Sequence, residues 1–176
     1  MFVRLERFRA TSALPPPAGF EARAVRPPPP RACLALIVLP LVTLAREWHL
    51  RLQRLTKGVE GFYQHHGSLP LGPYVRIAVC TIERAVGLVR SLEEEGRLAE
   101  LVTVVVDEIH LVTEASRGPR LELLMSKLLY VAARSQGRLQ LLGMSATVPN
   151  IELFARWLRA ELHHESCRPQ VLRLPR

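Results

Sequence analysis

Val104-Val105-Val106-Asp107-Glu108-Ile109-His110 is the stretch that decides the fold of this 176-residue chain. It closes an apolar run that begins at Leu101 and stops abruptly at two carboxylates and a histidine. A run of Leu and Val of this kind is typical of a central strand that is buried on both faces. Open parallel sheets present their chemistry just beyond the carboxyl ends of such strands. The stretch therefore predicts an α/β fold with a functional site at one edge of a mainly parallel sheet.

A second apolar run repeats this arrangement downstream. Leu139 to Met144 is followed by the small, hydroxyl-bearing triplet Ser145-Ala146-Thr147. The segment between the two runs is long enough for one helix, so we expect the runs to form neighbouring strands of one sheet.

Strand and helix patterns alternate along the chain from Cys33 onward. The predicted strands are Cys33 to Leu39, Val59 to Tyr63, Arg76 to Cys80, Leu101 to Val106, Leu139 to Met144 and Val171 to Leu174. The predicted helices are Thr43 to Leu55, a helix N-capped by Thr81 that runs to about Glu95, Pro119 to Ala133, and one with Pro149 in its first turn that reaches about Glu161. This alternation indicates βαβ units with flanking helices.

Composition and charge favour a nucleic-acid partner. The chain is 48% hydrophobic and 23% charged, which is ordinary for one globular domain, and its net charge is +8. A basic surface of this kind attracts polyanions, nucleic acid first. Only Lys57 and Lys127 are lysines; the many arginines suit phosphate recognition, although their scatter also fits a compositional bias. At 6%, aromatic residues are too few for an extended platform that stacks bases of single strands.

Residues 1–30 differ from the rest of the chain. They hold seven of the fourteen prolines and show neither helical nor strand periodicity. We expect a disordered or polyproline-like segment there, followed by one folded domain over residues 31–176.

Cysteine usage and hydropathy point to an intracellular protein. Cys33, Cys80 and Cys167 are far apart, which favours neither disulfides nor a zinc site. The apolar run Ala32 to Ala45 is too short to span a bilayer. It resembles the core of a signal peptide, but it begins late and contains Pro40, so a buried strand followed by a helix explains it better.

The acidic pair has the composition of a nucleotide-hydrolysing site. Such a site needs one carboxylate that holds Mg²⁺, usually through water, and another that deprotonates the attacking water. Asp107 and Glu108 lie at a predicted strand end, and His110 would lie on the same side as Glu108 if the backbone stays extended. The alternative interpretation of Asp107-Glu108 is a solvated acidic turn. The buried strand before the pair and Ser145-Ala146-Thr147 downstream favour the nucleotide-hydrolysing site.

Six segments resemble motifs of the first RecA-like lobe of superfamily-2 DNA helicases, in family order. They are Leu39 to Glu47 (motif Ia), Gly67-Ser68 (the glycine-serine element), Ala78 to Ala85 (motif Ib), Val104 to His110 (motif II, DExH type), Arg117 to Glu122 (the segment after motif II) and Met144 to Thr147 (motif III). The resemblance is greatest to the group that contains the helicase-like module of DNA polymerase theta and helicase Q. It extends from about Cys33 to the C-terminus and indicates a partial lobe, from motif Ia to motif III.

The resemblance implies specific roles, ATP and Mg²⁺ as cofactors, and single-stranded or unwinding DNA as a partner in DNA repair. Asp107 would bind Mg²⁺–ATP, with the metal held through water, and Glu108 would be the catalytic base. His110, Ser145 and Thr147 would couple the nucleotide state to strand movement. The implied nucleic-acid contacts lie at Pro40, Arg46, Gly67, Ser68, Thr81, Glu83 and Arg84. Thr81 could equally be only a helix cap and Arg46 only a surface ion-pair residue.

Two family features are absent from the 176 residues. There is no Gly-x-x-x-x-Gly-Lys-Ser/Thr loop to cradle phosphates, and there is no second RecA-like lobe with its arginine finger. We therefore expect no ATP hydrolysis by this chain alone. Two functions are favoured: part of an ATP-dependent DNA helicase, or a non-catalytic helicase remnant that binds nucleic acid or a partner. A secreted or membrane-anchored protein led by Ala32 to Ala45 is the third hypothesis. Either of the two favoured functions would be nuclear in a eukaryote and otherwise cytoplasmic.

Overall fold

The computed structural model describes residues 2–6, 33–134, 138–145 and 150–165. Seven strands and four α-helices occur in these residues, and two short 3₁₀ turns, Leu98–Glu100 and Ile109–Thr113, flank the fifth strand. The strands are β1 (Phe2–Glu6), β2 (Leu34–Leu39), β3 (Val59–Phe62), β4 (Ile77–Thr81), β5 (Leu101–Val106), β6 (Gln140–Ser145) and β7 (Glu161–Glu165). The helices are α1 (Val42–Leu55), α2 (Ile82–Glu94), α3 (Gly118–Arg134) and α4 (Ile151–Leu158).

The strands form one sheet in the order β3-β4-β2-β5-β6-β1-β7. The first five strands of this order are parallel to one another. β1 runs antiparallel to both of its neighbours, β6 and β7. A mainly parallel sheet with flanking helices was predicted from the sequence, and the structure confirms it.

Alternate residues of β2 face two separate cores. Leu34, Leu36 and Val38 join the larger core, which also contains the inward faces of α2 and α3. Leu39 joins the smaller core, to which Ala45 of α1 belongs. Because both faces of the central strands are covered, their sequences are apolar throughout.

The structure corrects two parts of the predicted organisation. Residues 2–6 form strand β1, although the sequence of residues 1–30 predicted no strand; residues 7–32 lie outside the described residues. β1 gains its hydrogen bonds from β6 and β7, which are distant in sequence, so local periodicity does not indicate it.

The second correction concerns the last helix. It ends at Leu158, and not near Glu161, because Arg159 adopts a left-handed backbone (φ 49°) and Glu161 starts β7. The predicted strand Val171 to Leu174 lies outside the described residues. No helix among the residues that the structure describes is long and apolar enough to cross a membrane.

Candidate functional site at the carboxyl edge of the sheet

The carboxyl ends of the five parallel strands meet at one edge of the sheet. Leu39 at the end of β2 pairs with Thr81 at the end of β4, and Val38 pairs with Val106 near the end of β5. Val106 in turn pairs with Gly143 of β6. The polar residues that follow each strand are therefore placed side by side, as expected for an open α/β sheet.

Asp107 and Glu108 stand at the centre of this edge. The backbone N–H of Asp107 donates to the carbonyl of Val38 at 3.0 Å and continues the β2–β5 ladder. Oδ1 of Asp107 accepts the backbone N–H of Glu108 at 3.0 Å. Glu108 adopts a left-handed backbone (φ 52°, ψ 48°), which directs the chain into the 3₁₀ turn that carries His110.

His110 joins the acidic pair to the next strand. Its Nδ1 atom lies 3.2 Å from Oγ of Ser145, the last residue of β6. The same nitrogen lies 3.1 Å from Oε2 of Glu108, although the geometry there is not that of a hydrogen bond, because Oε2 is buried without a hydrogen-bond partner. The three side chains form one cluster over the ends of β5 and β6.

This cluster corrects one step of the sequence argument. His110 was expected beside Glu108 on the condition that the backbone stays extended. The backbone instead turns at Glu108 and continues as a 3₁₀ turn over Ile109–Thr113. The turn, and not strand alternation, brings the imidazole back to Glu108.

The carboxyl of Asp107 is half-buried, and its pKa reflects this. Burial raises the pKa of Asp107 above its ordinary value, the N–H of Glu108 lowers it, and the negative charge of Glu108 raises it. Burial disfavours the charged form of a carboxyl group, and a nearby cation would favour that charged form again.

The residues present fit Mg²⁺ in part. Mg²⁺ typically takes one or two protein carboxylates and fills its remaining positions with water and phosphate oxygens. Asp107 and the unpartnered Oε2 atom of Glu108 supply such oxygens. Among the described residues no group of three or more His, Cys, Asp or Glu could hold a metal by itself. Thr147, the remaining predicted nucleotide-binding residue, lies outside the described residues.

The predicted nucleic-acid residues occupy the other half of the edge, beyond β2. Pro40 follows β2, and α1 begins two residues later with an N-cap, Leu41, that makes no side-chain capping bond. Arg46 lies in the second turn of α1 and is exposed. The first amides of α1 are free of acidic neighbours within the helix, since its first turn contains no carboxylate.

Thr81 and Arg84 belong to the adjacent helix start. Thr81 is the N-cap of α2, as predicted, but its buried hydroxyl makes no capping hydrogen bond. Glu83 places one carboxylate in the first turn. Nη2 of Arg84 donates to the carbonyl of Gly67 at 2.9 Å, which ties the loop of Gly67 and Ser68 to α2.

The structure thus divides the predicted site residues into two groups. Asp107, Glu108, His110 and Ser145 lie together over β5 and β6, while Gly67, Thr81 and Arg84 lie together over β3 and β4. Pro40 and Arg46 lie between the two groups, on β2 and α1. Ser68 and Glu83 accompany the second group as chain neighbours of Gly67 and Arg84.

One feature of the edge was missed from the sequence. Three rings, those of His49, Tyr63 and His66, pack together beside Gly67. The available signal was the position of His49, four residues after Ala45 and three before Leu52, which places it on the inward face of α1.

Comparison with known proteins agrees with this geometry. The family model described as DEAD/DEAH box helicase matches residues 22–154. DNA polymerase theta of Mus musculus is 42% identical over 155 residues, and Helicase POLQ-like of Homo sapiens is 36% identical over 148 residues; each match covers 78% of this chain. ATP-dependent DNA helicase Hel308 of Aeropyrum pernix is 37% identical over 140 residues and covers 79% of the chain.

The matches cover only 6%, 13% and 18% of the lengths of these three relatives. They extend along most of the present chain, and the family model spans every described strand from β2 to β6. On this sequence similarity and on its fold, the chain belongs to the DEAD/DEAH box helicases and corresponds to their first RecA-like lobe.

Proposed function

We propose that this chain is a partial lobe of an ATP-dependent DNA helicase, in which one half of the carboxyl edge contacts nucleic acid and the other half serves ATP. The observation that carries the proposal is the order of the strand ends. The ends of β3, β4 and β2 bear the candidate nucleic-acid residues, and the ends of β5 and β6 bear the candidate ATPase residues. The relatives that are named as DNA polymerase and DNA helicase support DNA as the polymer.

The nucleic-acid half is built from helix starts and arginines. α1 and α2 begin at neighbouring strands, and neither N-cap side chain bonds to its own helix. Free amides at a helix start suit phosphate oxygens, because the helix dipole adds partial positive charge there. Arg46 and Arg84 add full positive charges beside them. Phosphate contacts of this kind bind without regard to base sequence.

The ATPase half is built from the acidic pair and its histidine. Asp107 would hold Mg²⁺ through water, and the ion would neutralise phosphate charge. Glu108 would accept a proton from the attacking water at its carboxylate. His110 orients Glu108 and reaches Ser145, so the state of the acidic pair is passed to β6.

We infer that this half is incomplete in the 176 residues. They contain no Gly-x-x-x-x-Gly-Lys-Ser/Thr sequence. β1, which borders β6, runs antiparallel to it, so the carboxyl end of β1 lies at the opposite edge from Ser145 and the acidic pair. ATP hydrolysis then requires a phosphate loop and a second lobe supplied from elsewhere.

The nucleic-acid half is tested by the salt dependence of DNA binding. We expect the full chain to bind a fluorescent single-stranded oligonucleotide with a log–log salt slope of about −0.7 per phosphate neutralised. Arg46→Ala and Arg84→Ala should each reduce the number of ions released by about one. Arg90→Ala is the matched control, because Arg90 already pairs with Glu94 near the far end of α2. Binding that does not respond to salt would refute this half of the proposal.

The ATPase half is tested in a chimera. Residues 101–145 of this chain replace the matching segment in ATP-dependent DNA helicase Hel308 of Aeropyrum pernix, whose remaining sequence provides the rest of the ATPase site. Glu108→Gln in that chimera should lower DNA-stimulated ATP turnover by about 10²–10⁴-fold and leave ATP binding intact. Glu114→Gln is the control, because Glu114 is exposed and its carboxylate accepts a hydrogen bond from the neighbouring Ser116. Unchanged turnover in the Glu108→Gln chimera would eliminate Glu108 as the base.

The alternative function is a non-catalytic remnant that binds nucleic acid or a protein partner. The absence of a phosphate-loop sequence from the 176 residues favours it. It predicts salt-dependent DNA binding by the chain, no ATPase activity, and no effect of Glu108→Gln even in the chimera. A chimera that hydrolyses ATP and loses turnover with Glu108→Gln would count against a remnant whose acidic pair has lost its role. Both imply an intracellular protein, nuclear in a eukaryote and cytoplasmic in a prokaryote.

A further inference from the structure

The turn after β3 holds a cluster of three rings that the proposed functions do not use. Nδ1 of His49 lies 3.0 Å from Oη of Tyr63, and the two rings meet edge to face with centroids 5.9 Å apart. The rings of Tyr63 and His66 are stacked, with centroids 5.1 Å apart and an interplanar angle of 15°. The ring of His49 also lies 5.3 Å from the ring of His66.

Tyr63 provides a rigid backing for His66. Tyr63 and His49 are 8% and 4% exposed. A Cβ atom at Gly61 would lie 2.6 Å from both Nδ1 of His49 and Cε1 of Tyr63, so the two rings fill the space above Gly61 completely. A ring that is hydrogen-bonded and enclosed in this way keeps one orientation.

The turn that carries His66 is fixed at both ends. The N–H of His66 donates to the carbonyl of Tyr63 at 2.8 Å and closes the turn. Gly67 follows with φ 75°, and its carbonyl accepts Nη2 of Arg84. The position of His66 relative to α2 is therefore set by the fold.

His66 remains open to solvent in spite of these contacts. Gln64, His65 and His66 are all exposed, at the same edge of the sheet as Thr81 and Arg84. An aromatic ring that is stacked on its inner side and exposed outside presents a flat surface. That surface adjoins the arginine and the helix start that carry the proposed phosphate contacts.

We propose that His66, backed by Tyr63, is a stacking site for one nucleobase of single-stranded nucleic acid whose phosphates lie against Ser68, Arg84 and the start of α2. The inference rests on the proposed nucleic-acid contact of this edge and specifies how a base is held there. The low aromatic content of the chain excludes an extended platform that stacks several bases. A single exposed ring is enough to stack one base. Stacking on a side-chain ring contributes about 1–3 kcal/mol per base and tolerates any base.

The test compares two fluorescent oligonucleotides of equal length, one of thymidines and one of abasic sites, which carry the same phosphates. In the full chain, His66→Ala should weaken binding of the thymidine strand by about 5- to 150-fold, the equivalent of 1–3 kcal/mol. Binding of the abasic strand should be unchanged. His66→Phe should keep the affinity for thymidine, because it keeps a stacking ring.

His65→Ala is the matched control, since His65 is the exposed neighbour in the same turn. Equal loss on both strands would overturn the stacking site and assign His66 a phosphate contact. No loss on either strand, with both still bound by the wild-type chain, would also overturn it and leave the proposed function standing. If the wild-type chain binds neither strand, the proposed function and the stacking site fail together.

Discussion

His110 and Ser145 share a hydrogen bond between side chains that end neighbouring strands, with Nδ1 and Oγ 3.2 Å apart. His110 follows β5 and Ser145 closes β6, and the imidazole also lies 3.1 Å from the carboxylate of Glu108. One imidazole therefore connects the acidic pair to the next strand.

The first prediction concerns this hydrogen bond. Ser145 is 2% exposed, so the bond is shielded and should contribute about 0.5–1.5 kcal/mol to the free energy of unfolding. We expect a double-mutant cycle of His110→Ala and Ser145→Ala, measured by urea denaturation, to give a coupling energy of that size. Thr113→Ala paired with Ser145→Ala is the control and should be additive, because the Thr113 hydroxyl donates to the carbonyl of His110 instead. Additive losses in the first cycle would show that the bond is not formed.

The second prediction concerns the pH dependence of stability. Burial lowers the pKa of His49 below its ordinary value of 6.5, the charge of His66 lowers it further, and the carbonyl of Val59 opposes both. A lowered pKa means that the folded state binds fewer protons than the unfolded state. His49 therefore contributes stability above pH 6.5 that is lost as the pH falls. Each pKa unit of difference is worth about 1.4 kcal/mol.

The measurement is urea denaturation of the wild-type chain and of His49→Gln between pH 7.5 and about pH 5. The wild-type free energy of unfolding should fall more steeply with decreasing pH, because glutamine does not titrate. Tyr63 and His66, which face His49, are kept in both proteins. Parallel curves for His49→Gln would contradict the assignment.

The third prediction contrasts two glycines. A Cβ atom at Gly61 would collide with the rings of His49 and Tyr63 at 2.6 Å, so Gly61→Ala should destabilise the fold by about 1–3 kcal/mol. At Gly87, within α2, the nearest atom would be 3.9 Å from the new Cβ. Gly87→Ala should therefore stabilise the chain by about 0.5–1 kcal/mol, as alanine does within a helix. Thermal unfolding of both variants checks the signs, and the reverse order would be incompatible with the packing.

The fourth prediction concerns the arginine after α2. Nε and Nη2 of Arg97 bind the two carboxylate oxygens of Glu100 at 3.0 and 2.9 Å, and Nη1 donates to the carbonyl of Leu71 at 2.6 Å. Lysine cannot reproduce this fork, so Arg97→Lys should cost about 1–2 kcal/mol, a figure reduced for partial exposure. Arg90→Lys, at an exposed pair on α2, should leave the free energy of unfolding unchanged. Equal effects of the two substitutions would argue against the fork.

The central elements were predicted well because their signals are local. Leu101–Val106 was predicted with both of its observed ends, and α3 within one residue at each end. Apolar runs that are buried on both faces and leucines at helical spacing need no distant partner to be recognised. The prediction that the two apolar runs form neighbouring strands is confirmed, since β5 and β6 pair in parallel.

β1 and β7 could not be predicted, because their partners are distant in the chain. β1 pairs with β6 and β7, which lie near the other end of the sequence, and β7, with the polar sequence ELHHE, pairs with β1. A short polar segment forms a strand when its backbone can pair with the unpaired N–H and C=O groups of a neighbouring strand. Those groups are brought beside it only in the folded sheet. The left-handed turn at Glu108 is likewise set by tertiary contacts.

The sequence predicts which residues lie at the carboxyl edge of the sheet, but it does not predict how their side chains pack. Strand ends of a parallel sheet share one edge, so the positions of Asp107, Ser145 and Thr81 follow from the pattern alone. The ring cluster of His49, Tyr63 and His66 does not follow from it, because it depends on how α1 packs over β3. The roles of all these residues remain predictions.

The backbone hydrogen bond from Asp107 to Val38 has a mechanical consequence. It lies between the two halves of the edge, and Val38 is two residues before Pro40 and four before the start of α1. Force applied to α1 reaches Asp107 through peptide groups, and substitution of either side chain leaves this path intact. Only proline at position 107 would remove the N–H that carries it. The two halves of the edge thus share a backbone connection that does not depend on the side chains of Asp107 and Glu108.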